Sequence, residues 1–236
     1  MINYDFQHSD FDFDYIGHSK YENLDCFFSL YYYPVNKYGY GHNQELTFEF
    51  KDGMFCEDNS KILSYYLLKL FGKSLKKSED LEFLKTVTIL PIPASNSERN
   101  EKRFKRLFEL ISEKIGVQNG FDFIKVTEAI EQKHLQDSSH RVDKENFEIC
   151  FDKIKKPYRI VLIDDVITKG HTMRNLKKQL ERKIREEEKE KSFIIGLTLS
   201  KTYSYFLEAD NEDDFHKLDD FDICDYVENM EKILKR

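Results

Sequence analysis

Hydrophobic and polar positions follow two rhythms along this chain, and the change falls near residue 86. Before it, residues 1–20 alternate acids with aromatics (Asp10, Phe11, Asp12, Phe13, Asp14, Tyr15), the period-two pattern of an edge strand. The runs FFSLYYYP and LTFEFKDG flank the turn-rich NKYGYGHN and predict two strands in a long-looped hairpin. Asn59 to Phe71 predicts a helix with Asn59 or Ser60 as N-cap, and a charged stretch from Lys73 to Glu82 leads onward.

After residue 86 the pattern becomes strands alternating with helices, which predicts an α/β protein with a central parallel sheet flanked by helices. TVTILPIP is its first strand. The helix that follows carries Phe104, Leu107, Phe108, Ile111 and Ile115 on one face and stops at Gly116. FDFIKV and RIVLIDDV are the second and third strands. The next helix has an apolar stripe of Met173, Leu176, Leu180 and Ile184, and its charged end, ERKIREEEKEK, reads as a solvated face with i,i+4 pairs. FIIGLTLS, residues 193–200, is the fourth strand. The tail from Ala209 is acidic and has room for a last helix over Tyr226 to Leu234. The division expected is an accessory region 1–85, a core 86–201 and an acidic extension 202–236.

Composition narrows the class of function. A hydrophobic share of 40% over 236 residues is enough for a buried core. The net charge of −7 argues against a broad nucleic-acid or membrane footprint, which needs a basic face. No apolar run reaches the roughly 18 residues of a membrane span. The acidic N-terminus lacks the apolar core of a signal peptide, so a cytoplasmic location is expected. Cys26, Cys56, Cys150 and Cys224 are far apart without CxxC spacing, the usage of reduced, free thiols.

The candidate chemistry lies in YRIVLIDDVITKGHTMRNL. Ile160, Val161, Leu162 and Ile163 form an apolar run suited to a strand covered on both faces. Asp164 and Asp165 follow at its carboxyl end, and burying an ionised acid costs several kcal/mol unless something occupies it. Thr168, Gly170 and Thr172 then supply hydroxyls and an unhindered backbone where a helix begins, the place where phosphate binds. Acids that accept from hydroxyls, beside a phosphate cradle, describe a sugar-phosphate site. After the first strand, Ala94, Ser95 and Asn96 form a loop, with Arg99 and Arg103 as cations. Ligands of α/β proteins bind in such loops.

The segment resembles the phosphoribosyl-diphosphate (PRPP) motif of the type I phosphoribosyltransferases. The resemblance implies that Asp164 and Asp165 hold the ribose hydroxyls and act in catalysis. It implies that Thr168, Lys169, Gly170, His171 and Thr172 wrap the 5′-phosphate, with Lys169 where the family usually has a small or hydroxyl residue. The ComF-like, competence-associated branch is similar over roughly residues 87–200: Pro91-Ile92-Pro93, then Gln132 and Leu135, Arg141, Asn146 and Phe151 follow its order. This chain departs from the branch in lacking its Arg-Gly-Phe-Asn run, where Lys102, Arg103, Phe104 and Lys105 stand, and in lacking its cysteine-rich element.

What the resemblance implies can be stated in full. The fold would be the Rossmann-like one of these transferases, with a variable hood from the N-terminal β-rich region. The reaction would be Mg2+-dependent transfer of ribose 5-phosphate from PRPP to a nitrogenous base or related acceptor. Magnesium would be held mainly by PRPP, with Asp164 and Asp165 as its protein partners. Ala94, Ser95, Asn96, Arg99 and Arg103 would form the pyrophosphate loop, and Gln132 and Arg141 would belong to a mobile hood. His134 and His140 read equally as surface or catalytic residues, and His171, which could touch ligand, reads by default as a spectator within the loop. Phe27, Phe28, Tyr31, Tyr32, Tyr33, Tyr38 and Tyr40 could stack a base, although most read as packing. A homodimer would suit exposed hairpin aromatics. Two other readings stand beside the enzyme: a PRPP- or nucleotide-binding regulator without transferase activity, and a competence or DNA-transaction accessory protein.

Overall fold

The run YRIVLIDDVI is apolar on both sides, and the protein covers both. The computed structural model describes residues 15–32, 42–54, 56–71, 82–126, 147–202 and 214–217. In chain order these form β1 (Tyr15–Tyr21), β2 (Leu24–Tyr32), α1 (His42–Lys51), α2 (Cys56–Phe71) and β3 (Val87–Pro91). Helix α3 follows, beginning as Ser97–Asn100, passing through a π-helical turn at Glu101–Lys105 and ending as Arg106–Ile115. Then come β4 (Gln118–Asn119), β5 (Ile124–Val126), β6 (Phe147–Ile149), β7 (Tyr158–Ile167), α4 (His171–Lys183), β8 (Ser192–Thr202) and β9 (Asp214–Lys217).

Seven strands form one mixed, mostly parallel sheet in the order β4-β3-β7-β8-β2-β1-β9. The pairs from β4 to β2 are parallel, while β1 runs antiparallel to both β2 and β9. Strand β7 obeys its two-residue period. Val161 and Ile163 join the core under α1, α2 and α3, with Phe50, Leu67, Phe104 and Phe108. Ile160 and Leu162 join the opposite core under α4, with Met173, Leu176 and Leu180. Helix α3 leads away from β7 to β4, and α4 leads away from β3 to β8, on opposite faces. Strand order therefore reverses between β3 and β7, and the crevice at such a point is where open α/β sheets bind ligands.

Several expectations are met in form and others are corrected. Helix α3 buries Phe104, Leu107, Phe108, Ile111 and Ile115, and Gly116 ends it. FDFIKV is not a core strand. Gly120 N–H donates to the Ile89 carbonyl and Asn119 Oδ1 accepts from Phe121 N–H, turning the chain out of the sheet. Its last residues then pair antiparallel with Phe147–Ile149 in a separate ribbon. The strand beside β3 is instead the short Gln118–Asn119.

LTFEFKDG was expected as a strand and is helix α1. Short apolar runs do not distinguish the two periods, and here Thr47 and Phe50, three apart, face the core together. The hairpin accordingly forms one step earlier, between β1 and β2 around Glu22 and Asn23. Asn59 and Ser60 lie inside α2, not at its start. Of the N-terminal β-rich region expected as a hood, β1 and β2 lie in the main sheet, with β2 beside β8. Residues 15–20 of the edge strand expected over 1–20 fall in β1, which is paired on both sides and so is not an edge. Residues 1–14, Gln132, Arg141, His134, His140, Cys224, Tyr33, Tyr38, Tyr40 and the helix at 226–234 lie outside the described residues.

Candidate functional site at the ends of β3 and β7

Asp164 and Asp165 are consecutive, so the pleat sends them to opposite faces of β7. Asp165 shares the side of Val161 and Ile163 and meets the cations of that layer. Its side chain is 4% exposed, and its Oδ1 accepts from Arg103 Nη1 at 2.9 Å. Lys51 Nζ stands 3.3 Å from Oδ2. Asp164, 18% exposed, accepts the backbone N–H of Asp165 at 2.9 Å and lies 3.8 Å from Arg103. Burial pushes the Asp164 carboxyl well above the usual carboxylate range, and the charge and hydrogen bonding of the Asp165 side chain add to that. Arg103 and the Asp165 amide offset part of it.

Arg103 reaches this pair because of the turn that carries it. It is the third of the five π-helical residues, a local widening that often marks functional positions. Phe104, next in the chain, is fully buried between Phe50 and Phe108, with ring centroids at 6.2 and 5.7 Å. The rest of the predicted pyrophosphate loop makes local contacts among the described residues. Asn96 caps α3 by accepting from Arg99 N–H, the Ala94 amide donates to Asn100 Oδ1, and among the described residues Arg99 reaches Ser95 Oγ, at 3.3 Å. Arg103 therefore joins the acids, and Arg99 does not.

The predicted phosphate loop lies beside them. Gly170 is left-handed (φ 64°) and stands at the N-cap of α4, where no side chain caps the helix. Thr168, Lys169, His171 and Thr172 are exposed around it. Helix N-termini without side-chain caps leave N–H donors for an anion. Thr168 Oγ1 is bonded to Thr202 Oγ1 at 2.8 Å, and Arg174 donates to His171 Nδ1 at 3.0 Å. The β1–β2 hairpin supports this loop from below. Tyr21 OH donates to the Thr168 carbonyl at 3.4 Å, Glu22 pairs with Arg174 and Lys178, and Lys177 donates to the Asn23 carbonyl.

A Cβ at Gly170 would lie 3.0 Å from the Tyr21 ring in a backbone conformation that costs an ordinary residue about 1–2 kcal/mol. Gly170→Ala is thus expected to lower the urea-unfolding free energy by about that amount. It should also weaken ribose 5-phosphate binding in calorimetry. Unchanged values in both measurements would mean that the loop geometry is not fixed by this glycine.

Two contributions were not anticipated from sequence. Nothing about Lys51 marks it, since a lysine in the last turn of a helix is ordinary. Glu22-Asn23 between β-rich runs is a short-turn signal that could have revealed the hairpin. Among the described residues no group of three or more His, Cys, Asp or Glu side chains is arranged to hold a metal ion. Cys26 is buried and free, and Cys56 and Cys150 are free and half-buried. Among the described residues no helix is long and apolar enough to cross a membrane. No family model and no curated protein matches the chain.

Proposed function

We propose that the chain is a phosphoribosyltransferase of the Rossmann-like type I fold, using PRPP as donor and a nitrogenous base or related acceptor. The observation that carries this is the juxtaposition of three chemistries at one sheet switch point: the acid pair ending β7, the Gly170 turn opening α4, and Arg103 delivered from the π-helical turn of α3. A ribose 5-phosphate bridges the first two, with its hydroxyls on the carboxylates and its phosphate on the helix start. The third faces the leaving diphosphate.

In the reaction, the bond from C1′ to the diphosphate oxygen breaks and its electron pair leaves with the diphosphate. A bond from C1′ to the acceptor nitrogen forms. The α4 N-terminus, holding the 5′-phosphate away from the reacting carbon, uses remote binding energy to position C1′. Asp164 and Asp165 orient the ring through its hydroxyls and stabilise the positive charge that develops on it. Asp164 and Asp165, two oxygen donors at the end of β7, would be the protein partners of a magnesium ion held mainly by substrate oxygens. Held there, the ion would supply neutralisation of charge on the diphosphate.

One observation favours a second reading, a PRPP- or nucleotide-binding regulator. Asp165 is already engaged by Arg103 and Lys51, so the acid pair can serve as a ligand-sensitive contact without turnover. Titration calorimetry with PRPP and magnesium, followed by a screen of bases for pyrophosphate release, separates the two. Binding with release for at least one base supports the transferase. Binding without release for any base supports the regulator, and no binding removes both.

A further inference from the structure

Lys51 comes from the N-terminal region, yet three contacts fix it over the acid pair. Phe50 packs edge-on against Phe104, the neighbour of Arg103. Gly53, left-handed at φ 67°, lies so close to the Lys102 backbone that a Cβ would come 2.0 Å from its carbonyl oxygen. Thr47 Oγ1 is 3.2 Å from Ser200 Oγ, which in turn donates to the Asp165 carbonyl at 3.1 Å. The end of α1 is therefore docked on the π-helical turn of α3 and on the backbone of the residue it faces.

The charge arrangement is specific. Two acids face two cations, Lys51 and Arg103, and Asp165 Oδ2, nearly devoid of solvent, has no hydrogen bond despite the ammonium 3.3 Å away. Oδ1 is taken by Arg103. A buried carboxylate oxygen without a donor is costly and calls for one. A hydroxyl can supply it, but only if the cations have another anion to hold, because leaving them bare costs more than the hydroxyl bond returns.

We infer that Lys51 and Arg103 exchange partners when the site fills, holding Asp165 in the empty protein and the diphosphate in the loaded one. This rests on the PRPP reading of the site and adds to it a residue, Lys51, and a coupling. Ribose hydroxyls and diphosphate then help each other bind: the diphosphate takes the cations, and the freed Asp165 takes the hydroxyls. Without the exchange, two anionic ligands in one site repel each other and bind antagonistically.

The test is a two-ligand titration with ribose 5-phosphate and magnesium pyrophosphate. In the unaltered protein each ligand should tighten the other by on the order of tenfold, reciprocally as linkage requires. Lys51→Met, which keeps the aliphatic stem, should lose most of that coupling, and Lys51→Arg, which keeps the charge, should retain it. Additive or antagonistic binding in the unaltered protein, or full coupling in Lys51→Met, overturns the exchange and leaves the PRPP reading standing. Failure of both ligands to bind the unaltered protein overturns the two together.

Discussion

Asp164→Asn is expected to stabilise the empty protein while removing most of its PRPP affinity. Asp164 is held near a second buried carboxylate, and its raised pKa means that ionising it costs the folded state more than the unfolded one. The sign follows directly. The stability tied to this group is fully present below the ordinary carboxylate range and is lost as pH rises through the raised folded value. Asparagine removes that loss and can still accept the Asp165 amide, which now meets Asp164 Oδ1 at 2.9 Å. The gain should be on the order of 1 kcal/mol at neutral pH, the scale of one altered polar interaction. It should shrink toward pH 4. Urea denaturation of both proteins across pH 4–8 measures it, and a variant less stable than the parent at neutral pH would refute the account.

Function should move the other way. A lost charge-assisted hydrogen bond is worth about 1.5–3 kcal/mol, so PRPP affinity should fall roughly 10- to 100-fold. Asp165→Asn should also weaken PRPP binding, but with the opposite effect on stability. It strips Arg103 and Lys51 of their shared partner, and Arg103 is only 15% exposed. Removing one partner of a largely buried pair destabilises. Opposite stability effects with a common loss of affinity would separate two neighbouring acids that a simple acid-pair description treats alike.

The strand, acids and turn of the β7–α4 segment were legible because each depends on neighbours in sequence. A buried run, two consecutive acids and a glycine before an apolar helical stripe carry their own local physics. What supports them was not legible. Lys51 reaches Asp165 through the docking of α1 on α3, where Phe50 and Phe104 meet across the fold, while Arg103 reaches it from a π-helical turn that the sequence does not mark. LTFEF alternates like a strand, so period alone could not reveal that Thr47 and Phe50 would be buried together on a helix. FDFIKV failed for a different reason. Gly120 turns the chain away just before a run whose Phe121, Phe123, Ile124 and Val126 favour a strand.

Phe104→Ala should be among the most damaging single changes in the described residues. Its ring is fully buried, contacts Phe50 and Phe108, and lies 5.5 Å under the Arg103 guanidinium. Truncating a buried phenylalanine costs about 3–5 kcal/mol, a large part of the roughly 5–15 kcal/mol that holds a domain together. The damage should not stop at stability. Phe104 is one of the contacts that dock the end of α1 and lies beside Arg103, so a loosened ring weakens the hold of Lys51 and Arg103 on Asp165. Phe104→Leu refills much of the volume and should recover most of the stability, but it cannot restore the edge-on contact with Phe50. The two variants thus divide packing from placement. Urea midpoints should follow the order parent, Leu, Ala. The coupling between ribose 5-phosphate and pyrophosphate should be weakened already in Phe104→Leu. A loss below about 1 kcal/mol in Phe104→Ala, within the range of ordinary surface substitutions and mild ones, would show that α1 and α3 are held together by something other than this ring.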